Sequence, residues 1–220
     1  LCAMLCVASS ASAQIVAYEV PAGTAGTQAF GGSLGMDFDV NSDIQITSLG
    51  VFDDNSDGLG VPLRAHIYDR NDTGAPVVTL NFGTGATGTA IDGSRFLDLK
   101  SSPLVLPAGF QGTIVGEGYG GAERNGNVGT GSTAGTTNDG GGQISFVGLG
   151  RHGGNNTFPG TADGGPANRY HAGTFQFDAA TVAPNILTGA IPYVVPEGTV
   201  GNQAFGGALG MDFNVLGEPI

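Results

Sequence analysis

Residues 53 to 58 read Asp-Asp-Asn-Ser-Asp-Gly. Oxygen-bearing side chains at alternate positions, closed by a glycine, are what the opening of a calcium loop needs. Asp53, Asn55 and Asp57 supply the oxygens, and Gly58 permits the turn. An EF-hand also requires glutamate at the twelfth position, and here that residue is Arg64. The expectation is therefore a shorter calcium site on Asp53, Asn55 and Asp57, completed by ligands from elsewhere. Calcium is the one cofactor the chain suggests. The same residues also favour a plain hairpin turn, since Asp, Asn and Gly all suit tight turns. Both readings stand.

Three further patterns carry chemistry only on paper. Gly31-Gly32-Ser33-Leu34-Gly35 has the form of a nucleophile elbow, which needs a strained turn from strand to helix. Here the glycines lead into an alternating strand, so a tight glycine turn is expected. Asp37 and Asp39 share one face of that strand, and a carboxylate pair serves glycoside hydrolysis in other settings. Solvated carboxylates are the simpler expectation. Gly129 to Ala134 fits a loose dinucleotide fingerprint but lacks the flanking strand and helix that give it meaning. His66, His152 and His171 are too scattered for a zinc site. Tyr119, Phe158 and Tyr170 flank the long loops, where loop packing is favoured over ligand stacking because tryptophan is absent.

Composition narrows the partners. Of 220 residues, 41 are glycine and 11 proline, close to the level of low-complexity chains, yet 40% are apolar, enough for one packed core. So much glycine disfavours long helices, at about 1 kcal/mol per position relative to alanine. With 19 acids against 7 bases the net charge is −12, which disfavours nucleic acid and anionic membrane surfaces as partners, and no nucleic acid is expected. Residues 1 to 13, LCAMLCVASSASA, form a short apolar run ending in an A-x-A-like site. This reads as a truncated signal peptide cleaved after Ala13, too short to span a membrane. Cys2 and Cys6 leave with it, so the mature chain has no disulfide and no thiolate. Secretion or display at the cell surface is the expected localisation.

The elements that must position these residues are strands. Leu34, Met36, Phe38 and Val40 alternate with polar or small residues, the period of a half-buried strand. Ile44, Ile46, Leu49 and Val51 continue it, with a phase slip at Thr47-Ser48 that predicts a bulge. Strands are further expected near 63–68, 77–82, 95–99, 104–106, 110–120, 143–150 and 169–179, with no helix. Two glycine-rich loops, 118–142 and 148–168, interrupt the series. The fold expected is an all-β antiparallel sandwich of jelly-roll type.

Residues 18 to 40 and 193 to 215 agree at 17 of 23 positions at a constant offset of 175. That period is a whole domain rather than a solenoid unit. The chain divides into a complete module over 15–189 and the start of a second copy over 190–220, and further copies are expected in the parent protein.

The frame AFGGSLGMDFDV, ITSLGVFDDNSDGL, PLVLPAGFQGTIVGEGYG and DGGPANRYHAGTFQF resembles a repeated glycine-rich β-sandwich module of large secreted bacterial proteins. Such proteins often carry LamG domains or a PEP-CTERM sorting tail. In architecture alone, the LPAG turn is similar to that of jelly-roll families such as DUF4082. The resemblance carries no catalytic residues. It implies a non-catalytic structural or adhesive module whose partner is an extracellular surface. The alternative is a carbohydrate-binding module for extracellular polysaccharide.

Overall fold

The computed structural model describes residues 14 to 99 and 102 to 180. The expected signal segment, 1 to 13, and the second copy, 190 to 220, lie outside the described residues.

Strands dominate, as the alternation requires. The first half holds β1 (Ile15–Val16), β2 (Tyr18–Glu19), β3 (Ser33–Val40), β4 (Ile44–Phe52), β5 (Leu63–Asp69), β6 (Val78–Phe82), β7 (Thr89–Ile91) and β8 (Ser94–Asp98). The second holds β9 (Leu104–Leu106), β10 (Gln111–Glu117), β11 (Gly126–Asn127), β12 (Thr136–Thr137), β13 (Ile144–Gly153), β14 (Thr161–Asp163), β15 (Tyr170–His171) and β16 (Gly173–Ala179). Helix is limited, among the described residues, to single 3₁₀ turns at Asp54–Ser56 and Val128–Thr130. No helix there is long and apolar enough to cross a membrane.

Two six-stranded antiparallel sheets face one another. The first runs β1-β16-β4-β8-β7, with β9 sharing the edge of β4. The second runs β14-β13-β3-β10-β5-β6. The expected bulge is present at Thr47: Gln176 pairs with Ser48, Phe177 with Ile46, and Thr47 is the extra residue. Its effect is to keep Ile44, Ile46, Leu49 and Val51 all fully buried despite the slip in phase.

The core lies between the sheets. Leu34, Met36 and Phe38 of β3 meet Phe175 and Phe177 of β16, and the Phe38 and Phe175 rings approach to 4.9 Å. Where β10 crosses β16 the two backbones come close enough to exclude side chains. A Cβ on Gly116 would sit 2.5 Å from the Ala172 carbonyl carbon, and one on Gly173 would sit 2.7 Å from that of Val115. Glycine is needed here for space, since real Cβ contacts do not occur at such distances.

The short strands add what alternation does not foretell. β11 pairs with β15, and β12 with β2, each over two residues. They tie the first glycine-rich loop to the rim of the sandwich. The second loop is folded too: β13 and β14 pair around it, and residues 154–160 turn back over the second sheet.

Candidate functional site

The outer face of the second sheet holds a buried polar row. Asp37 on β3 is fully buried, contrary to the solvated position expected for it. Thr113 donates its hydroxyl to Asp37 Oδ1 at 2.6 Å, and Arg151 Nε–H lies 2.7 Å from Oδ2. The physical reason is the cover supplied by residues 154–160. Phe158 there packs on Tyr68, ring centres 5.6 Å apart, and lies under the Arg151 guanidinium. Asp39 pairs instead with Arg70 and stays partly exposed.

One strand pair along, Glu117 is buried against Ser33, His66 and Arg64. Ser33 donates to Glu117 Oε2 at 2.7 Å, and the Asn156 N–H to the same oxygen at 2.9 Å. Arg64 Nη2 stands 2.5 Å and His66 Nε2 3.1 Å from Oε1. Burial alone would raise the carboxyl pKa. The His66 ring, the Asn156 N–H and the Ser33 hydroxyl outweigh it and hold the pKa at about 2. Serine, histidine and a carboxylate therefore meet, but in an order that does not activate the serine. Its proton goes to Glu117, and His66 reaches the other oxygen of that carboxylate, with its second nitrogen 2.8 Å from Thr79 Oγ1. Ser33 is also sealed from solvent.

Of the proposed calcium ligands, Asp53 is buried, with Arg95 Nε–H donating to Oδ2 at 2.7 Å and Gly58 N–H to Oδ1 at 3.0 Å. Asn55 donates its amide to Asp54 Oδ1 at 2.9 Å, and Asp57 is exposed. The loop is stapled by its other acids. Asp54 accepts from Gly26 N–H at 2.6 Å, while Glu123 accepts from the N–H groups of Asp54 and Gly60. Among the described residues no three His, Cys, Asp or Glu side chains gather into one group.

The open site lies at the end of the sandwich. A cleft of about 280 Å³ is lined by Gln28, Phe30, Asn127, Thr130, His152, Asp163, Arg169 and Tyr170. Five segments bring them together: the approach to β3, the end of β11 with its 3₁₀ turn, β13, β14 and β15. Arg169 is the hub. Its Nη1 donates to Asp163 Oδ1 at 2.6 Å, its Nε to Asn127 Oδ1 at 3.0 Å, and its guanidinium lies 5.3 Å from the Tyr170 ring centre. Two loop glycines leave it room, since a Cβ at Gly129 or Gly165 would overlap the guanidinium. Tyr170 donates its hydroxyl to Asp163 Oδ2 at 2.5 Å. That bond, helped by Arg169, lowers the Asp163 pKa, while burial and the carboxylate push Tyr170 up to about 12.

Gln28 completes the floor. Its Oε1 accepts from the side-chain amides of Asn125 and Asn127, both at 3.0 Å, so its NH₂ is the group left for the cleft. Phe30 and His152 meet edge to face, with centres 6.0 Å apart. The cleft thus joins one half-buried aromatic ring to an amide, an imidazole, a guanidinium and a carboxylate, each held by neighbours.

Of the aromatics singled out in the sequence, Tyr170 reaches this cleft. Tyr119 is instead buried, its hydroxyl donating to the Ala172 carbonyl at 2.8 Å. Phe158 packs over the sheet. His66, His152 and His171 fall in three separate settings: the Glu117 row, the cleft, and a buried place between Tyr18 and Phe52. Gln28, Asn127, Asp163 and Arg169 carry no local motif that would single them out.

The chain matches no protein-family model, no curated protein and no solved structure.

Proposed function

We propose that this is a non-catalytic adhesive module of a secreted or cell-surface protein, and that the cleft between Phe30 and Arg169 engages extracellular polysaccharide. The composition of the cleft carries this reading. Sugar rings offer a weakly apolar face and a fan of hydroxyls, and sites for small polar ligands combine apolar walls with a few fixed polar groups. Phe30 supplies the face. Asp163 accepts from hydroxyls, while Gln28 and Arg169 donate to them.

Other features agree with it. The net charge of −12 suits a neutral partner better than a polyanion. The apparent signal at 1–13 accounts for secretion, and the repeated segment for a parent built of several such modules. Gln28 and Phe30 recur in that segment as Gln203 and Phe205, so each copy would carry part of the same cleft. The jelly-roll description belongs to this proposal as well, as the sandwich class in which such sites are common.

The test is a glycan panel, with Phe30→Ala as the site variant and Val105→Ser, on an exposed position of β9, as the control. Saccharide binding that weakens at least tenfold in Phe30→Ala and is unchanged in Val105→Ser is expected. A folded chain that binds no member of the panel would contradict the proposal.

A further inference from the structure

The repeated segment acquires a structural meaning from the place of its first copy. Residues 15 to 40 supply β1, β2 and β3, and β3 lies in the middle of the second sheet between β13 and β10. Every residue of β3 that faces the opposite sheet returns unchanged 175 positions later: Leu34 as Leu209, Met36 as Met211, Phe38 as Phe213, Val40 as Val215. Asp37, buried against Arg151 and Thr113, returns as Asp212. Over 18 to 40 the differing positions are Glu19, Ala22, Ala25, Thr27, Ser33 and Asp39, and of these only Ser33 is buried. Ahead of them Ile15, Val16 and Ala17 correspond to Ala190, Ile191 and Pro192, and Pro192 lacks the N–H with which buried Ala17 donates to the Phe175 carbonyl. The two copies of the strand therefore carry the same core-facing residues and the same buried carboxylate.

The ends of the module are placed to use it. Ile15 pairs with Phe177 and Val16 with Gln176, antiparallel, so the start of the module lies beside the end of β16. By the repeat offset, residue 190 stands for Ile15. A chain leaving β16 at Ala180 needs only to turn back across one strand spacing, about 4.8 Å, and nine residues of sequence separate Ala180 from position 190.

We propose that residues 190 to 215 are a second occupant for the place held by residues 15 to 40, so that one chain can close either as the module from 15 to 180 or as its circular permutant from about 41 to 215. The first copy is the stronger occupant. Ala208 in place of Ser33 gives up the hydrogen bond to Glu117, and Asn214 in place of Asp39 gives up the ion pair with Arg70.

The experiment uses the full chain and three variants: Met36→Asp/Phe38→Asp, Met211→Asp/Phe213→Asp, and all four together. Thermal unfolding followed by near-ultraviolet circular dichroism reads packing, and size-exclusion chromatography reads association. The first-copy variant should keep a cooperative transition as a monomer, at a midpoint several degrees lower. The second-copy variant should melt like the unaltered chain, and the fourfold variant should show no cooperative transition. Three results would overturn the proposal: a first-copy variant as unfolded as the fourfold one, a fourfold variant that still folds, or a first-copy variant that folds only as a dimer.

Discussion

Asp37, fully buried, and Arg151, largely covered, form an ion pair on the outer face of the second sheet, with Nε 2.8 Å from one carboxylate oxygen and 2.7 Å from the other. The pair joins the middle strand to β13, and Phe158 lies against the guanidinium from the far side. Removing Asp37 leaves the largely covered Arg151 charge without its carboxylate and the Thr113 hydroxyl without its acceptor, at a cost of about 3–5 kcal/mol. Asp39, two residues along, pairs with Arg70 nearer to water, where an ion pair contributes roughly 0–1 kcal/mol. The repeated segment keeps the first carboxylate, as Asp212, and replaces the second by Asn214.

Asp37→Ala should therefore lower the unfolding free energy by about 3–5 kcal/mol, and Asp39→Asn by less than about 1 kcal/mol, as read from denaturant midpoints. Asp37→Leu combined with Arg151→Met should recover much of the first loss, because no lone charge remains buried. Equal effects of Asp37→Ala and Asp39→Asn would contradict the assignment of the buried pair.

That carboxylate also marks where the sequence is readable and where it stops. Period-2 alternation identifies Leu34, Met36, Phe38 and Val40 as the core face, and the slip at Thr47 foretells the bulge, because both are local consequences of strand geometry. Asp37 lies on the polar side of the same alternation and reads as solvated. Only the return of residues 154–160 over the sheet buries it, and no local spacing encodes that cover. The cleft is illegible for a related reason. Gln28, Asn127, Asp163 and Arg169 come from distant segments, Asn127 in a two-residue strand and Arg169 just ahead of another, both too short to show any period. Loop packing for Tyr119 and Phe158 was accessible, since bulky rings beside glycine-rich loops seldom stay in water.

The pH dependence should bear the mark of His171. Its ring is fully buried between Tyr18 and Phe52, and burial lowers its pKa from 6.5 to about 4, against a smaller opposing effect of the Thr133 backbone. The folded pKa is the lower one, so the unfolded chain takes up the proton first. Stability from the neutral ring is full above about pH 6.5 and is lost as pH falls toward 4, by about 3 kcal/mol in total. His171→Leu should flatten the stability profile over that window relative to the unaltered chain. Glu123 and Asp178, whose carboxyls are raised mainly by burial, titrate alike in both proteins and cancel in the comparison. An unchanged slope between pH 6.5 and 4 would count against a neutral buried ring.

Asp53 provides the next test. With Arg95 and Gly58 N–H on its oxygens, Asp53→Ala should cost about 3–5 kcal/mol by stranding Arg95. Melting in millimolar calcium and in chelator should give the same loss. A loss confined to the calcium buffer would instead make Asp53, Asn55 and Asp57 a cation site. Asp54→Ala should also destabilise, since its carboxylate accepts from Gly26 N–H.

The cleft is tested most directly by nuclear magnetic resonance with a saccharide that the glycan panel identifies. Titration should shift the side-chain amide of Gln28, the Nε–H of Arg169 and the ring signals of Phe30 and His152 together, along one saturating curve. Signals of the buried Glu117 row should stay in place. Shifts that saturate on another face of the sandwich, with the cleft signals unmoved, would contradict the account.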